Sequence, residues 1–322
     1  MIAIRKLFFI LLLSGTFASL AQVAKYSNEF LAVGVGARAM AMGNANVVSA
    51  NDVTCGYYNP AGLLNIKNKF QLGLMHAEYF AGIAKYDYGA LATRIDSNSV
   101  ASLSMIRFGV DNIPNTTQLV DAQGYVDYSK ISTFSVTDFA AILSYARNIK
   151  VLKGVKVGGS AKIIRRRFGP FGGSWGFGLD AGASYSLKGW NFAAVGRDIT
   201  GTFNAYTFTL SEQDKLVFAA TNNDIPTNSV EVTVPRLILG VSRNFSVWKD
   251  KISIMPEANF ITTFDGKRNT VIKSKVLSTD PVVGLEIGYL KMIFLRAGIN
   301  NIQQATDINK KTYTSLAPGI GV

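Results

Sequence analysis

One cysteine and one histidine occur in 322 residues. Cys55 has no partner for an intramolecular disulfide. His76, near Glu78, lacks the partners that a zinc site, a nucleophilic triad or a histidine acid–base pair needs. Beyond the first 21 residues the chain has no run of about 18 uninterrupted apolar residues, so no transmembrane helix is expected. Charge is also scarce: Asp, Glu, Lys and Arg make up 17% of the chain, less than a soluble exported protein of this size usually carries. A phosphate-cradling loop is missing too, because Gly34-Val35-Gly36 runs into Ala37 without the third glycine or the strand-then-helix setting. Asp52, Asp180 and Glu257 lie far apart in sequence, with nothing to bring any two together. Neither a catalytic residue, nor a metal site, nor a cofactor is expected.

What the chain has is glycine, aromatics and alternation. It contains 30 Gly, and 11% of its residues are aromatic. Residues 1–21 read as a signal peptide: Arg5 and Lys6, an apolar core from Leu7 to Leu13, and small residues from Ala18 to Ala21 before Gln22. No cysteine follows the cleavage site, which excludes a lipoprotein. The net charge is +12 at pH 7. An exported chain meets no nucleic acid, so the excess reads as contact with anionic lipid or lipopolysaccharide, a basic lumen, or a solvated surface.

Period-2 alternation recurs along the chain. In Phe177–Leu187 one face carries Phe177, Leu179, Ala181, Ala183, Tyr185 and Leu187, and the other Gly178, Asp180, Gly182, Ser184 and Ser186. Val155–Ile163 and Val283–Tyr289 repeat the pattern. Strands are expected at 68–78, 84–95, 100–111, 137–148, 154–165, 174–187, 190–198, 235–246, 251–263, 281–290, 292–300 and 315–322. Alternation alone fits a membrane barrel or a soluble sandwich. The connections decide: short ones alternate with longer ones such as 112–136, 199–234 and 264–280, the parity of an up-and-down barrel with tight turns at one end. Closure also satisfies every backbone donor and acceptor in lipid. Tyr79, Phe80, Tyr86, Tyr88, Trp190, Phe192, Trp248, Tyr289 and Phe294 fall near strand ends and are expected at the membrane interfaces. Pro256 inside a strand predicts a bulge or interruption. The last strand breaks off at Val322, so a C-terminal truncation of about two to three strands is expected.

Residues 22–65 differ from the rest. Ser27–Leu64 is dense in small residues and keeps neither helical nor strand period, and it ends on the rigid turn Asn59-Pro60-Ala61-Gly62. Such a segment can pack its backbone into a confined space. It reads as a plug inside a barrel formed by residues 66–322, with a loop-rich cap on a soluble domain as the alternative. Arg38 inside a barrel would need polar partners and would pin the plug to the wall. Arg165, Arg166 and Arg167, read as the end of a strand and its loop, form the densest basic cluster. With Lys267 and Arg268 in another long loop they are candidates to grip lipopolysaccharide phosphates or a partner's carboxylates, or form a solvated rim.

The block from Phe30 to Leu63 resembles the PorV/PorQ family of outer-membrane proteins, relatives of the FadL-type fatty-acid channels associated with type IX secretion in Bacteroidota. The matching residues are Phe30, Leu31, Gly34, Gly36, Ala37, Arg38, Ala39, Met42, Gly43, Ala45, Asn59, Pro60, Ala61, Gly62 and Leu63. The resemblance implies an all-β, FadL-like transmembrane antiparallel barrel, of 14 strands when complete, in the bacterial outer membrane. It also implies a non-enzymatic part in type IX secretion, with the translocon barrel or cargo C-terminal sorting domains as partners. The alternative is a FadL-like channel for uptake of hydrophobic compounds, which requires an apolar site at the outer end and a gap in the barrel wall. A barrel with a purely structural role is the third reading.

Overall fold

The computed structural model describes residues 27–120, 124–149, 154–304 and 312–321. The expected signal peptide and residues 22–26 lie outside the described residues. Among the described residues sixteen strands form one antiparallel sheet. They are β1 (Phe70–Tyr79), β2 (Ala84–Asp96), β3 (Ser99–Asn115), β4 (Ser132–Asn148), β5 (Val155–Phe168), β6 (Gly172–Leu187), β7 (Trp190–Arg197) and β8 (Thr202–Phe208). They continue as β9 (Ser229–Thr233), β10 (Arg236–Arg243), β11 (Phe245–Val247), β12 (Ile252–Thr263), β13 (Ile272–Lys273), β14 (Ser278–Tyr289), β15 (Ile293–Gln304) and β16 (Thr312–Gly321). The wall runs in the order β1-β2-β3-β4-β5-β6-β7-β10-β12-β14-β15-β16. These are the twelve strands expected from alternation. Among the described residues β1 pairs only with β2, and β16 only with β15.

The two faces follow the pleat. On β6, Trp175, Phe177, Tyr185 and Leu187 are exposed while Gly176, Gly178, Asp180 and Gly182 are buried. Leu72, Leu103, Leu143, Ile163, Leu239, Phe260, Leu285 and Leu295 extend the outward apolar face around the wall. Trp175 and Tyr185 stand ten residues apart on β6. At about 3.3 Å per residue and a tilt near 40°, that spans a band of about 25 Å, the height of a lipid-facing belt.

The inner face packs on residues 27–66, which fill the lumen. Plug atoms stand against glycines on strands all round the wall: Val53 over Gly73 (β1), Pro60 over Gly158 (β5), Asn59 over Gly182 (β6), Val47 over Gly240 (β10) and Met42 over Gly284 and Gly298 (β14, β15). A Cβ on Gly158 would fall 2.6 Å from the Ala61 nitrogen, and one on Gly298 would fall 2.0 Å from the Met42 carbonyl carbon. The wall glycines thus make room for the plug backbone. Tyr86, Met42, Leu63, Ile106 and Ile164 are fully buried at this contact, each large apolar side chain contributing about 1.5–3 kcal/mol.

Several expectations are corrected. Tyr86 and Tyr88 point into the lumen, 0% and 4% exposed, and the Tyr88 hydroxyl donates to the Val53 carbonyl at 3.1 Å. A two-residue period permits either face; the plug supplies an acceptor for Tyr88, and Tyr86 packs its ring among the buried apolar side chains. The connection between β5 and β6 is a tight turn at 169–171, so Arg165, Arg166 and Arg167 all lie in β5. The stretch 199–234 is only partly loop, since β8 and β9 prolong the sheet on either side of a helix, Glu212–Ala220. Pro256 sits in an unbroken register with Leu285; the wall is interrupted elsewhere.

Candidate functional site

The plug is held by polar side chains from both sides. Arg38 donates to Glu286 Oε2 on β14 at 2.9 Å, to Asn46 Oδ1 at 2.7 Å and to Ser49 Oγ at 3.2 Å. Arg296 on β15 donates to the same Glu286 oxygen at 2.6 Å. Glu257 on β12, 1% exposed, accepts from the Val48 and Ser49 amides at 2.9 and 3.1 Å. Asn59 donates to the Val47 carbonyl at 2.9 Å and to Ser184 Oγ at 3.0 Å, while its Oδ1 accepts from the Ala61 amide. Pro60 then opens a tight helical turn, Pro60–Asn65, as its fixed φ favours.

The other motif residues serve close approach. Gly34 has φ +101°, and a side chain there would run into Asn44; Gly36 and Gly43 also have positive φ. Gly62 lies over Cys55, and Phe30 is buried among the plug's apolar residues. Burial pushes the Cys55 thiol well above its ordinary pKa, and the thiolate is the reactive form. Maleimide is therefore expected to leave Cys55 unlabelled in the folded protein and to label it fully after denaturation. Rapid labelling of the folded barrel would show that the plug does not stay seated.

The five basic residues of the expected rim are not one cluster. Arg166 points inward, donating to both Asp138 oxygens at 2.8 and 2.9 Å and to the Tyr206 hydroxyl at 2.7 Å. Arg165 points outward and stacks on Trp175, 5.0 Å from the ring centroid. Arg167 is exposed on the same outward face. Lys267 and Arg268 lie in the connection after β12, and the Arg268 amide donates to Ser278 Oγ at 2.9 Å. Between them and β5 stand β6, β7 and β10.

The wall breaks between β7 and β8 on one strand line and between β9 and β10 on the next. β6 pairs with β7 along Ala181–Leu187 and with β8 along Gly172–Phe177. Residues 198–201 interrupt the strand between them, with Asp198 at φ +56° and Gly201 at φ +67°, while the Ile199 amide keeps one bond to the Leu179 carbonyl at 2.9 Å. Opposite, Thr202 pairs with Thr233 and Arg197 with Arg236, so Val234 and Pro235 are skipped. Pro235 has no N–H to give a ladder.

Behind the break lies a buried ionic network. Lys162 Nζ is 2.8 Å from Asp180 Oδ1 and also contacts Asp198. Arg236 stands 3.6 Å from Asp198, whose amide donates to Asp180. Arg197 donates to the Tyr57 carbonyl at 2.8 Å and lies over the Tyr57 ring. A small cavity of about 80 Å³ lies alongside, between Tyr57, Tyr58, Arg197, Arg236 and Asn259.

β8 carries the site from this break to the long-loop end. Its inward residues are Thr202, Asn204, Tyr206 and Phe208. Phe168, Tyr206 and Phe208 stack in parallel at centroid spacings of 5.9–6.4 Å. With Ile225 and Pro226 they line an open cavity of about 560 Å³ at the long-loop end. The beginning of the described plug stands below it. Asn204 donates to Ser27 Oγ at 2.7 Å, and Asn28 donates to Thr233 Oγ1 at 2.9 Å. Sequence reading missed this arrangement. Gly201 and Pro235 were the available signals, but Gly201 fell in a stretch read as loop and Pro235 at the first position of an expected strand. Among the described residues no group of three or more His, Cys, Asp or Glu side chains could hold a metal ion.

No protein-family model matches the chain, and no curated protein matches it in sequence. Solved structures do. The CymD monoaromatic hydrocarbon channel is 14% identical, with 89% of this chain covering 88% of CymD at a TM-score of 0.53. The toluene transporter TbuX of Ralstonia pickettii is 13% identical over 89% of each chain, at 0.47. A FadL homologue of Pseudomonas aeruginosa is 11% identical, over 84% of this chain and 80% of its own, at 0.45. The fold is that of a FadL-like outer-membrane β-barrel.

Proposed function

We propose that this protein is an outer-membrane channel for small hydrophobic compounds. The observation that carries this reading is on β8, which joins an aromatic cavity at the long-loop end to an interruption of the wall below it. Residues 27–66 pack against the inner face of strands all round the wall, which favours a lateral route over a straight aqueous pore. An apolar solute entering from the long-loop side would meet Phe168, Tyr206 and Phe208, apolar surface suited to such a ligand. It would then follow the inner face of β8 past Ser27 and Asn28 to the gap at 198–201. Leaving sideways there takes it past the Lys162–Asp180–Asp198 network, whose charges are paired with one another. The likeness to CymD supports the reading, because that protein is a channel for monoaromatic hydrocarbons.

The test is a reversible block. Ser27 and Asn204 touch, so Ser27→Cys with Asn204→Cys should form a disulfide that ties the plug's beginning to β8. Cells carrying this variant are expected to take up a monoaromatic hydrocarbon several-fold more slowly when oxidised, and at the original rate after reduction. Uptake that ignores the redox state would remove the β8 route.

The Phe30–Leu63 block supports a second reading, a part in type IX secretion with the translocon barrel or cargo sorting domains as partners. Its consequence is opposite: gene deletion would leave cargo in the periplasm and hydrocarbon uptake unchanged.

A further inference from the structure

The outward face near the long-loop end is charged in two different ways. On β1 to β3 every cation has a carboxylate. His76 Nδ1 lies 2.6 Å from Asp87, Arg107 lies 3.1 Å from Asp87 and 3.8 Å from Asp111, and Lys85 lies 3.5 Å from Asp111. Two strands further along the pairing register, the balance ends. The pairing register runs His76–Asp87–Arg107–Phe139–Arg165–Trp175 from β1 to β6. One step nearer the loops, Arg167 pairs with Thr137 on one side and Gly173 on the other. Neither Arg165 nor Arg167 has a carboxylate partner among the described residues.

This unbalanced stretch is also concave. Gly172 is half-buried and Gly173 lies buried beneath the Arg165 side chain, where a Cβ on Gly173 would lie 2.8 Å from a guanidinium nitrogen. That guanidinium donates to the Ser174 carbonyl at 3.1 Å and is backed by the Trp175 ring. It is therefore held in place before any ligand arrives. Arg165, Arg167, Pro170, Gly173, Trp175 and Thr207 line a cavity of about 450 Å³ that opens outward. Below it, toward the middle of the belt, the outward side chains are apolar: Ile163, Phe177 and Phe203. Trp175, 59% exposed, marks the level where indole rings favour lipid headgroups.

A positive pocket beside the exposed Trp175, bordered by the turn at 169–171 and lying next to an apolar outward face, matches one kind of molecule. We propose that Arg165 and Arg167 form a binding site for the phosphate of a phosphorylated glycolipid in the outer leaflet, with its acyl chains along Ile163, Phe177 and Phe203. Two guanidinium groups suit a phosphate through paired charge-assisted hydrogen bonds. Arg166 has no part in it, since it faces the lumen and is satisfied by Asp138. The site does not depend on what crosses the barrel.

The test uses the full chain, purified in a neutral detergent and titrated with diphosphoryl lipid A and with its fully dephosphorylated counterpart, bound lipid being counted by native mass spectrometry. Wild type is expected to prefer the phosphorylated lipid by roughly tenfold or more. R165Q/R167Q is expected to bind both lipids alike while keeping the heat-modifiable gel migration of a folded barrel. Should that double variant fail to fold, R167Q alone changes an exposed side chain and should lose several-fold. K85Q/R107Q, on the balanced face, should keep the preference. Equal binding of the two lipids by wild type would overturn the proposal, as would an unchanged preference in the arginine variants. Displacement of the lipid by millimolar inorganic phosphate would assign the site to free anions instead.

Discussion

Gly298→Leu is expected to unseat the plug from an otherwise folded barrel. The plug backbone at Met42 and Gly43 passes so close to β15 that even a Cβ at this position would fall 2.0 Å from the Met42 carbonyl carbon and 2.1 Å from the Gly43 nitrogen. Backbone on both sides leaves no rotamer to absorb the clash, and overpacking alone costs about 1–3 kcal/mol. The neighbouring tie, Asn300 Nδ2 donating to the Gly43 carbonyl at 3.0 Å, would be lost with it. Two readouts should change together: Cys55 becomes reactive to maleimide without denaturant, and planar bilayers show a conductance that wild type lacks. A variant that stays closed, with Cys55 protected, would mean that the wall gives way at this point instead of the plug.

Lys162→Met is expected to be the most destabilising single change in the wall. Asp180 and Asp198, with side chains 8% and 4% exposed, would be left facing each other without the cation between them. Breaking a buried ion pair by removing one partner typically costs about 3–5 kcal/mol; Asp198 would keep Arg236 at 3.6 Å, whereas Asp180 would lose its ion-pair partner. The urea midpoint of the variant in detergent micelles should fall accordingly. Lys156→Met, six residues nearer the short-turn end of β5, is the control: its amine reaches Asn65 in the plug at 2.5 Å and opposes no carboxylate. A loss below about 1 kcal/mol for Lys162→Met would mean that water reaches the network through the break at 198–201. The same variant should raise the basal leak of hydrophobic solutes, since Asp198 anchors the loop that forms the break.

The barrel was legible because a sheet in lipid imposes a repeating demand on every strand. Outward positions in lipid must be apolar, so Phe177–Leu187 and Val283–Tyr289, whose other faces are small or polar, declared their faces without any knowledge of their neighbours. Arg38 was legible for a related reason: a guanidinium among glycines and alanines inside a barrel has to find partners. Other features were hidden because their meaning depends on residues far away in sequence. Gly158, Gly182 and Gly298 look like ordinary strand glycines until Pro60, Asn59 and Met42 are seen against them. Tyr86 and Tyr88 fit an interfacial belt as well as a lumen.

The basic run and the prolines show where one-dimensional reading ends. Arg165, Arg166 and Arg167 look like one cluster, yet a strand turns consecutive side chains to opposite faces, and only the tight turn at 169–171 shows that all three are in a strand. Pro256 looked like the break and Pro235 did not. The first keeps its register beside β14, whereas the second stands where Gly201 and Asp198 have already bent the neighbouring strand. Local alternation and loop parity therefore determined the sheet and its two faces, while the density of small residues from Ser27 to Leu64 marked a segment able to pack in a confined space. The tertiary structure decided where the wall opens, which arginines face lipid and which carboxylates share Lys162, because each of these depends on pairing between strands far apart in the chain.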